Sequence, residues 1–407
     1  MTERLYYHDS FVKEFEAQVV SCEPEAERWK IVLDRTAFYP TSGGQPHDLG
    51  SLGAASIVEV SDAETHIVHY ASAALPLGKV RGKIDWPRRF DHMQQHTAQH
   101  LLSAAFIELF GVPTVSFHLG AEICTIDLKA PSLTQRQLEQ AERRTNEIIF
   151  EDRVVSVRFG TAEELAVAGV RKSVDRVGVL RAVEIDRMDL QPCGGTHLSR
   201  TGQAGMILIR KLERRRDEYR VEFVAGNRAL ETARADYATL TQAAAALTCG
   251  LPEVSAVVAK IIEERRTQHS ARRNLEDRLA DFEATALIRG GEDRPTPDEH
   301  PRVIVGLLED ASPSYLTLLA ARITGSAAGA GAARHVVAFL GSRTSGHVAL
   351  AQSKGSAGDL GANLREALKR FGGKGGGGKD FAQAVLGDPA KVPDFLDHLK
   401  MTLSANG

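Results

Sequence analysis

Two short clusters constrain this chain more than anything else in it. They are His96-Thr-Ala-Gln-His100 and, about ninety residues later, Cys193-Gly-Gly-Thr-His197. Together they carry three imidazoles and one thiol, and zinc sites are commonly built from such nitrogen and sulfur ligands. A fold that uses all four must bring two distant segments to one point. His96 and His100 are four apart, so on a helix they project from one face. At about 100° per residue, Leu101, Leu102, Ala105 and Leu109 lie roughly opposite, which makes the histidine face the solvent face rather than the core face. On its own, HxxxH fits equally well two solvated polar residues of an amphipathic helix. The second cluster, with Cys and His around a flexible Gly-Gly, favours a shared metal.

The chain has 407 residues, room for two to four domains. Its apolar fraction of 43% suits a folded protein. No run of eighteen apolar residues occurs, and the N-terminal MTERLYYHDSFVKEF lacks an apolar signal core, so a cytoplasmic location is expected. Cys22, Cys124 and Cys249 are widely spaced and read as ordinary reduced thiols. The net charge of −3 does not announce a nucleic-acid binder. Basic residues are clustered, however, at Arg210, Lys211, Arg214, Arg215, Arg216 and Arg220, and again at Arg265, Arg266, Arg272 and Arg273. Such patches can neutralise phosphates, or form a solvated face balanced by nearby Glu and Asp.

The pattern predicts an α+β multidomain chain in four parts. Residues 1–90 carry short apolar stretches (Ala17–Cys22, Trp29–Leu33, Ser56–Val60) separated by Gly, Pro and Ser, which suggests a small β-barrel. Residues 91–225 mix helix and strand. There the histidine helix starts at Asp91 and stops at Gly111-Val112-Pro113. Thr114–Leu119 and Glu122–Leu128 follow as strands. A helix capped by Ser132 runs over Leu133–Phe150, and a charged hairpin over Met206–Phe223. Residues 226–292 form a helical arm broken near Gly250-Leu251-Pro252. Its second half keeps three-four apolar spacing at Val254, Val258, Ile261, Leu275, Leu279 and Phe282, with Arg265, Gln268 and Arg272 in the middle. A linker over 290–301 leads into a C-terminal α/β domain, residues 293–407, with strands Arg302–Leu308, His335–Leu340 and His347–Gln352 and helices Tyr315–Arg322 and Leu360–Phe371.

HxxxH followed by CGGTH resembles the editing domain of alanyl-tRNA synthetases and their freestanding relatives, the AlaX proteins. Asp34–Gly50 (DRTAFYPTSGGQPHDLG) resembles the glycine-rich segment preceding that domain, and Thr114–Gly120 (TVSFHLG) sits where the family lines its amino-acid pocket. Gly372–Gln383 (GGKGGGGKDFAQ) is similar to the C-terminal module shared by alanyl-tRNA synthetases and DHH-type phosphoesterases. Gly378, with Lys379 beside it, stands where the family often has an arginine. The aspartate-rich metal centre of DHH phosphoesterases is not recognisable, so no nuclease activity is inferred.

The resemblance implies one Zn2+ held by His96, His100, Cys193 and His197, and hydrolysis of a mischarged aminoacyl ester on tRNA(Ala) carrying serine, or also glycine. Because the chain starts directly with the barrel, it is expected to act in trans. The chemistry has a clear purpose. A hydrophobic pocket rejects an added hydroxyl by only ~10²-fold, whereas a site that hydrogen-bonds the hydroxyl discriminates by ~10⁴ or more. Gln45, Thr114, Ser116 and His118 are the candidate catalytic and selectivity residues. Thr114, Ser116 and His118 alternate along a strand and so share one face. For Gly43-Gly44 the alternative is an ordinary turn, and for Thr114 and His118 a half-buried strand face. His47 and His92 are extra bases or spare ligands, or simply structural. Thr41, Gly43, Gly44, Arg210, Lys211, Lys374 and Lys379 are candidate RNA contacts, the last two flanking a glycine run whose N–H groups would precede a helix over Asp380–Leu386 and cradle phosphate, or form a flexible surface loop. A homodimer through the arm or the C-terminal domain is expected. Two other readings remain: a deacylase of the threonine system, and a zinc-stabilised RNA-binding protein without catalysis.

Overall fold

The computed structural model describes residues 1–170, 178–290, 301–326 and 335–405, in two compact units, Met1–Ala246 and Leu247–Gly407. The expected linker over 290–301 falls almost wholly outside the described residues.

The first unit opens with β1 (Glu3–Arg4), β2 (Glu14–Glu25), β3 (Arg28–Leu33), β4 (Arg35–Thr36), β5 (Gly50–Leu52), β6 (Ala55–Asp62), β7 (Ile67–Ala71) and β8 (Gly78–Ile84). Six of these close a barrel in the order β2-β3-β7-β6-β5-β8. The period-two pattern of β2 sends Phe15, Ala17 and Val19 inward to meet Ile31, Leu33, Ile57, Val60 and Ile67. Closure leaves no free sheet edge.

The histidine helix α1 spans Trp86–Phe110, one turn and more longer than the sequence suggested. Its cap is Asp85, whose side chain accepts from the Arg88 N–H, with Pro87 in the first turn; Asp91 lies inside the helix. Arg89 ties it to the barrel. This fully buried guanidinium pairs with Asp48 and donates to the carbonyls of Ser10 and Ala37. Such a pair is tolerable only because its donors are satisfied.

The histidine side was expected to face solvent. Instead α1 is buried on all sides from His92 to Phe106, whereas Leu109, assigned to the core side, is 41% exposed. Around α1 stand β9 (Thr114–Leu119), β10 (Cys124–Leu128), α2 (Gln135–Phe150), β11 (Val155–Gly160), α3 (Ala162–Val167), β12 (Leu180–Ile185), β13 (Asp189–Pro192), β14 (Ile207–Arg215), β15 (Glu218–Ala225) and α4 (Gly226–Leu247). The antiparallel sheet β14-β15-β10-β9 and α2 pack Leu101, Leu102 and Phe106 into one core with Ile126, Leu138 and Phe223. Helix α2 is capped by Thr134 in a reciprocal box with Gln137, not by Ser132.

The second unit contains α5 (Val254–Gly290), β16 (Arg302–Leu308), α6 (Pro313–Ser326), β17 (Val336–Ser342), β18 (His347–Gln352), α7 (Leu360–Phe371), β19 (Lys374–Gly377), β20 (Phe381–Val385) and α8 (Val392–Ala405). Its mixed sheet runs β16-β17-β18-β20-β19. The end of α5 packs Ala280 and Ala284 against Leu316, Leu319 and Ile323 of α6. The glycine run does not cradle an anion ahead of a helix. Lys374–Gly377 is an edge strand paired with β20, and the expected helix over Asp380–Leu386 is that partner strand. A Cβ on Gly375 or Gly377 would meet Ala384 or Ala382 at 2.3 Å, so close strand approach explains the glycines.

Candidate metal centre

Polar side chains on several sides of α1 are satisfied inside the protein. The Gln94 amide donates to the Gln203 carbonyl and the Gln95 amide to the Ala225 carbonyl. His96 and His100 meet the Cys193 loop, which β13 delivers. The ligand atoms of His96, His100, Cys193 and His197 all lie within 4.8 Å of one another. Cys193 Sγ is 3.5 Å from His96 Nε2 and 3.3 Å from His197 Nε2.

Each imidazole has its other nitrogen held by a different residue. His96 Nδ1 is 2.8 Å from Gln45 Oε1, His100 Nδ1 is 3.2 Å from Asp189 Oδ2, and His197 Nδ1 is 3.2 Å from Thr97 Oγ1. Such partners fix ring orientation and tautomer, as they do around metal-bound histidines. The two arms of the site are also fitted backbone to side chain. A Cβ on Gly195 would sit 2.3 Å from His96 Cε1, so only glycine passes beneath that ring.

Charge in the cluster is unevenly shared among its four members. Burial by itself would push the Cys193 thiol up. The His96 and His197 imidazoles and hydrogen bonds to His100 and His197 outweigh burial and hold the thiol well below its ordinary value. For His100, burial is opposed by the Asp189 and Cys193 hydrogen bonds, which raise it to about 9. Burial, with the His96 charge, lowers His197 well below its usual range. A metal ligand must be deprotonated: the Cys193 thiolate and the His197 imidazole meet that condition, whereas His100 gives up a proton when a metal binds.

His96, His100 and Cys193 border a cavity of about 540 Å³, within the usual range for small-molecule sites, while His197 lies outside its lining. Tyr39, Ser42 and Gly43 form one wall, Gln99 and Ile107 another, and Thr114–Phe117 with Gln191 and Pro192 the rest. Phe117 stacks on His96 at 5.3 Å. Thr114 donates to Ser103 Oγ at 2.7 Å, and the Gln99 amide donates to that same oxygen at 2.8 Å.

The sequence-predicted residues separate at this point. Thr114 and Ser116 border the cavity; His118 does not, and it is exposed. The three do not share one face. The register of β9 on β10 skips Val115, a bulge that breaks alternation. Thr114 therefore turns toward Ser103 of α1, while Ser116 donates to Asp127, itself paired with Arg220. Gln45 is fully buried and its amide is committed: Oε1 also accepts from the Thr196 N–H, and Nε2 donates to Thr196 Oγ1. These bonds are all internal to the protein. Gly44 (φ +85°) lets its loop approach β9, since a Cβ would meet the Phe117 carbonyl at 2.6 Å. Thr41 and His47 bond each other outside the cavity.

The candidate RNA contacts are scattered. Arg210 pairs with Asp236 and Lys211 with Glu213 and Glu222, so the basic run of the hairpin is largely neutralised by its neighbours. Lys374 and Lys379 are exposed at the edge hairpin of the second unit. Sequence reasoning missed Tyr39, Thr97, Gln99, Asp189 and Gln191. Thr97 and Gln99 lie inside HTAQH and Tyr39 inside the glycine-rich segment, but Asp189 and Gln191 carried no local signal.

The family model described as the threonyl and alanyl tRNA synthetase second additional domain matches residues 180–221, which include Cys193 and His197. The DHHA1 domain model matches residues 310–405. The alanyl-tRNA editing protein Aarsd1 of Mus musculus is 33% identical over 275 residues, 63% of this chain and 67% of that protein. The alanyl-tRNA editing protein AlaX-L of Pyrococcus horikoshii is 33% identical over 247 residues, 56% of this chain and 59% of that protein. The chain thus spans about two thirds of such relatives or less. The solved C-Ala domain of Aquifex aeolicus alanyl-tRNA synthetase is 26% identical, covering 27% of this chain and 99% of that one, with a TM-score of 0.22. Sequence identity over that span, the two matched domains and the paired histidine and cysteine motifs place this chain in the alanyl-tRNA editing protein family.

Proposed function

We propose that this protein is a trans-editing deacylase that hydrolyses the ester of Ser-tRNA(Ala), and also of Gly-tRNA(Ala), while sparing Ala-tRNA(Ala). The observation that carries the reading is the convergence of three oriented imidazoles and one thiolate at a cavity whose wall bears hydroxyl and amide groups. The names of the related editing proteins point the same way.

Zn2+ fits the donor set. Three nitrogens and one sulfur are ordinary zinc ligands, and tetrahedral bonds of about 2.0–2.3 Å place such ligands roughly 3.5 Å apart. The nitrogen–sulfur spacings here are 3.3 and 3.5 Å. When bound, zinc supplies Lewis-acid polarisation of an ester oxygen or acidification of a water, or it anchors the terminal ribose.

The protein's own residues do the rest. Gln45, Asp189 and Thr97 hold the three rings in register. Phe117 and Ile107 supply apolar wall that limits access of bulk water. Thr114, with Ser103 and Gln99 behind it, offers a hydroxyl network to a serine side chain. Thr114 already donates to Ser103, so its oxygen is left to accept from a serine hydroxyl, a bond that alanine does not make and that contributes about 0.5–1.5 kcal/mol. That term favours serine by up to about tenfold. Ser116 is tied to Asp127 and plays a smaller part.

The test is to incubate the zinc-loaded protein with serine-, glycine-, threonine- and alanine-charged tRNA and follow loss of each ester. Rapid loss of serine with alanine retained is the expected result. Equal loss of serine and alanine would remove the selectivity claim. No loss of any ester by protein that binds zinc and tRNA would make it a binding protein.

A further inference from the structure

We propose that a second cavity in the first unit, bordered by Arg88, His92 and Arg228, binds a phosphate group. It measures about 260 Å³ and lies where α1, the turn after β9 and the start of α4 meet. Arg228 is a fixed wall: it pairs with Asp91 at 2.6 Å and donates to the Gly120 carbonyl at 2.8 Å. Arg88 is different. Its Nε donates to the His47 carbonyl at 3.1 Å, and among the described residues no carboxylate pairs with it. With Arg228 and Asp91 cancelling, the cavity keeps one uncompensated positive charge.

His92 supplies an independent observation. It borders the cavity, is 3% exposed, and its Nδ1 is buried without a hydrogen-bond partner. Folded proteins seldom leave such an atom unpaired, because the loss costs about 1–3 kcal/mol. An anion that reaches both groups answers both needs. The free Nη edge of Arg88 can grip two oxygens side by side, the geometry that guanidinium prefers for phosphate. A third oxygen is then left for the imidazole, and Gly120 and Ala121 present no bulk on that side. A carboxylate has only two oxygens for these donors.

The position links this cavity to the metal centre. His92 precedes His96 by one turn of α1, about 6 Å along the axis. The loop that gives Ser42 and Gly43 to the metal cavity gives Pro46 to this one. The phosphate therefore comes either from the backbone of a bound RNA or from free phosphate in solution. The RNA source rests on the editing reading; the site itself does not.

The zinc-loaded full-length protein is titrated with inorganic phosphate while the imidazole nitrogens of ¹⁵N-labelled histidines are followed by NMR. A saturable shift of the His92 signals is expected, weakened at least tenfold in Arg88→Gln and less in Arg88→Lys. In parallel, binding of an acceptor-stem RNA hairpin is measured against salt. A logarithmic slope smaller by roughly 0.7–0.9 in Arg88→Gln assigns the phosphate to RNA. An unchanged slope beside a retained His92 response assigns it to free phosphate. A silent His92 together with an unchanged slope overturns the proposal. Should Arg88→Gln fail to fold, the wild-type titration and Arg88→Lys decide the same question. Absence of ester hydrolysis with the His92 response intact would count against the editing reading alone.

Discussion

His96 Nδ1 lies 2.8 Å from the side-chain oxygen of Gln45, a residue 51 positions earlier on a loop of the barrel. That amide is oriented by Thr196, whose N–H donates to the same oxygen and whose hydroxyl accepts from Nε2. One glutamine thus joins the barrel, the first ligand helix and the second ligand loop.

Replacing Gln45 by Met should therefore weaken the metal rather than remove a substrate contact. Loss of an outer partner of a ligating histidine costs about 10–100-fold in affinity. Chelator competition on the folded variant reads this directly. Affinity equal to wild type would make the pair incidental.

The purified protein should carry about one zinc per chain. Cys193→Ala combined with His197→Ala should abolish it, and chelation of the wild type should lower its melting temperature, because metal bound only by the folded state stabilises that state. Stoichiometric zinc in the double variant, by elemental analysis, would rule this site out.

Thr114→Val keeps the shape of the wall and deletes its hydroxyl. The serine-over-alanine ratio of kcat/KM should fall about tenfold, the equivalent of roughly 1.4 kcal/mol, with tRNA affinity unchanged. A ratio that stays constant moves serine recognition to another part of the cavity.

His69 sets a stability limit on the acid side. It is fully buried in the barrel, bonded to Thr36, and burial lowers it to about 4 despite its bond to the Ile31 carbonyl. The unfolded chain takes up that proton near pH 6.5 and the folded chain does not. Stability is thus fully present above pH 6.5 and falls as pH drops toward 4, by about 3 kcal/mol from this residue. Urea unfolding should show the wild type losing that advantage over His69→Gln between pH 7.5 and pH 4. A constant difference between the two would clear His69 of the effect.

Helix α5 leaves Leu275, Leu279 and Phe282 exposed at 62%, 48% and 74%, at the spacing of a coiled-coil seam. The chain is expected to dimerise along it. Leu275→Glu with Leu279→Glu should halve the mass seen by sedimentation; an unchanged mass excludes this stripe.

The four residues that cluster at the candidate metal centre were legible in the sequence because their chemistry is local: a residue type, a spacing, a glycine pair. Thr97 and Asp189 were not, because each is defined only by the imidazole it meets across the fold. The helix itself misled. Polar residues on α1 read as solvent-facing, yet Gln94, Gln95, His96 and His100 all find partners inside. Periodicity cannot distinguish water from a matched interior. The barrel was legible from its short apolar stretches and the Gly, Pro and Ser between them. The bulge at Val115 was not, since one unpaired residue leaves no mark on composition, and it moved Thr114 off the face of Ser116. The glycine run misled in the other direction, because close strand packing and anion binding call for the same residue.

Gly195 contributes no donor atom, yet a side chain there would collide with the His96 ring at 2.3 Å. The site therefore has a veto held by a residue outside its ligand set. A descendant chain that kept all four ligands but lost this glycine would look intact on a motif search and be unable to seat the first histidine. Inheritance of the centre is thus decided by an absence of atoms as much as by the atoms that bind.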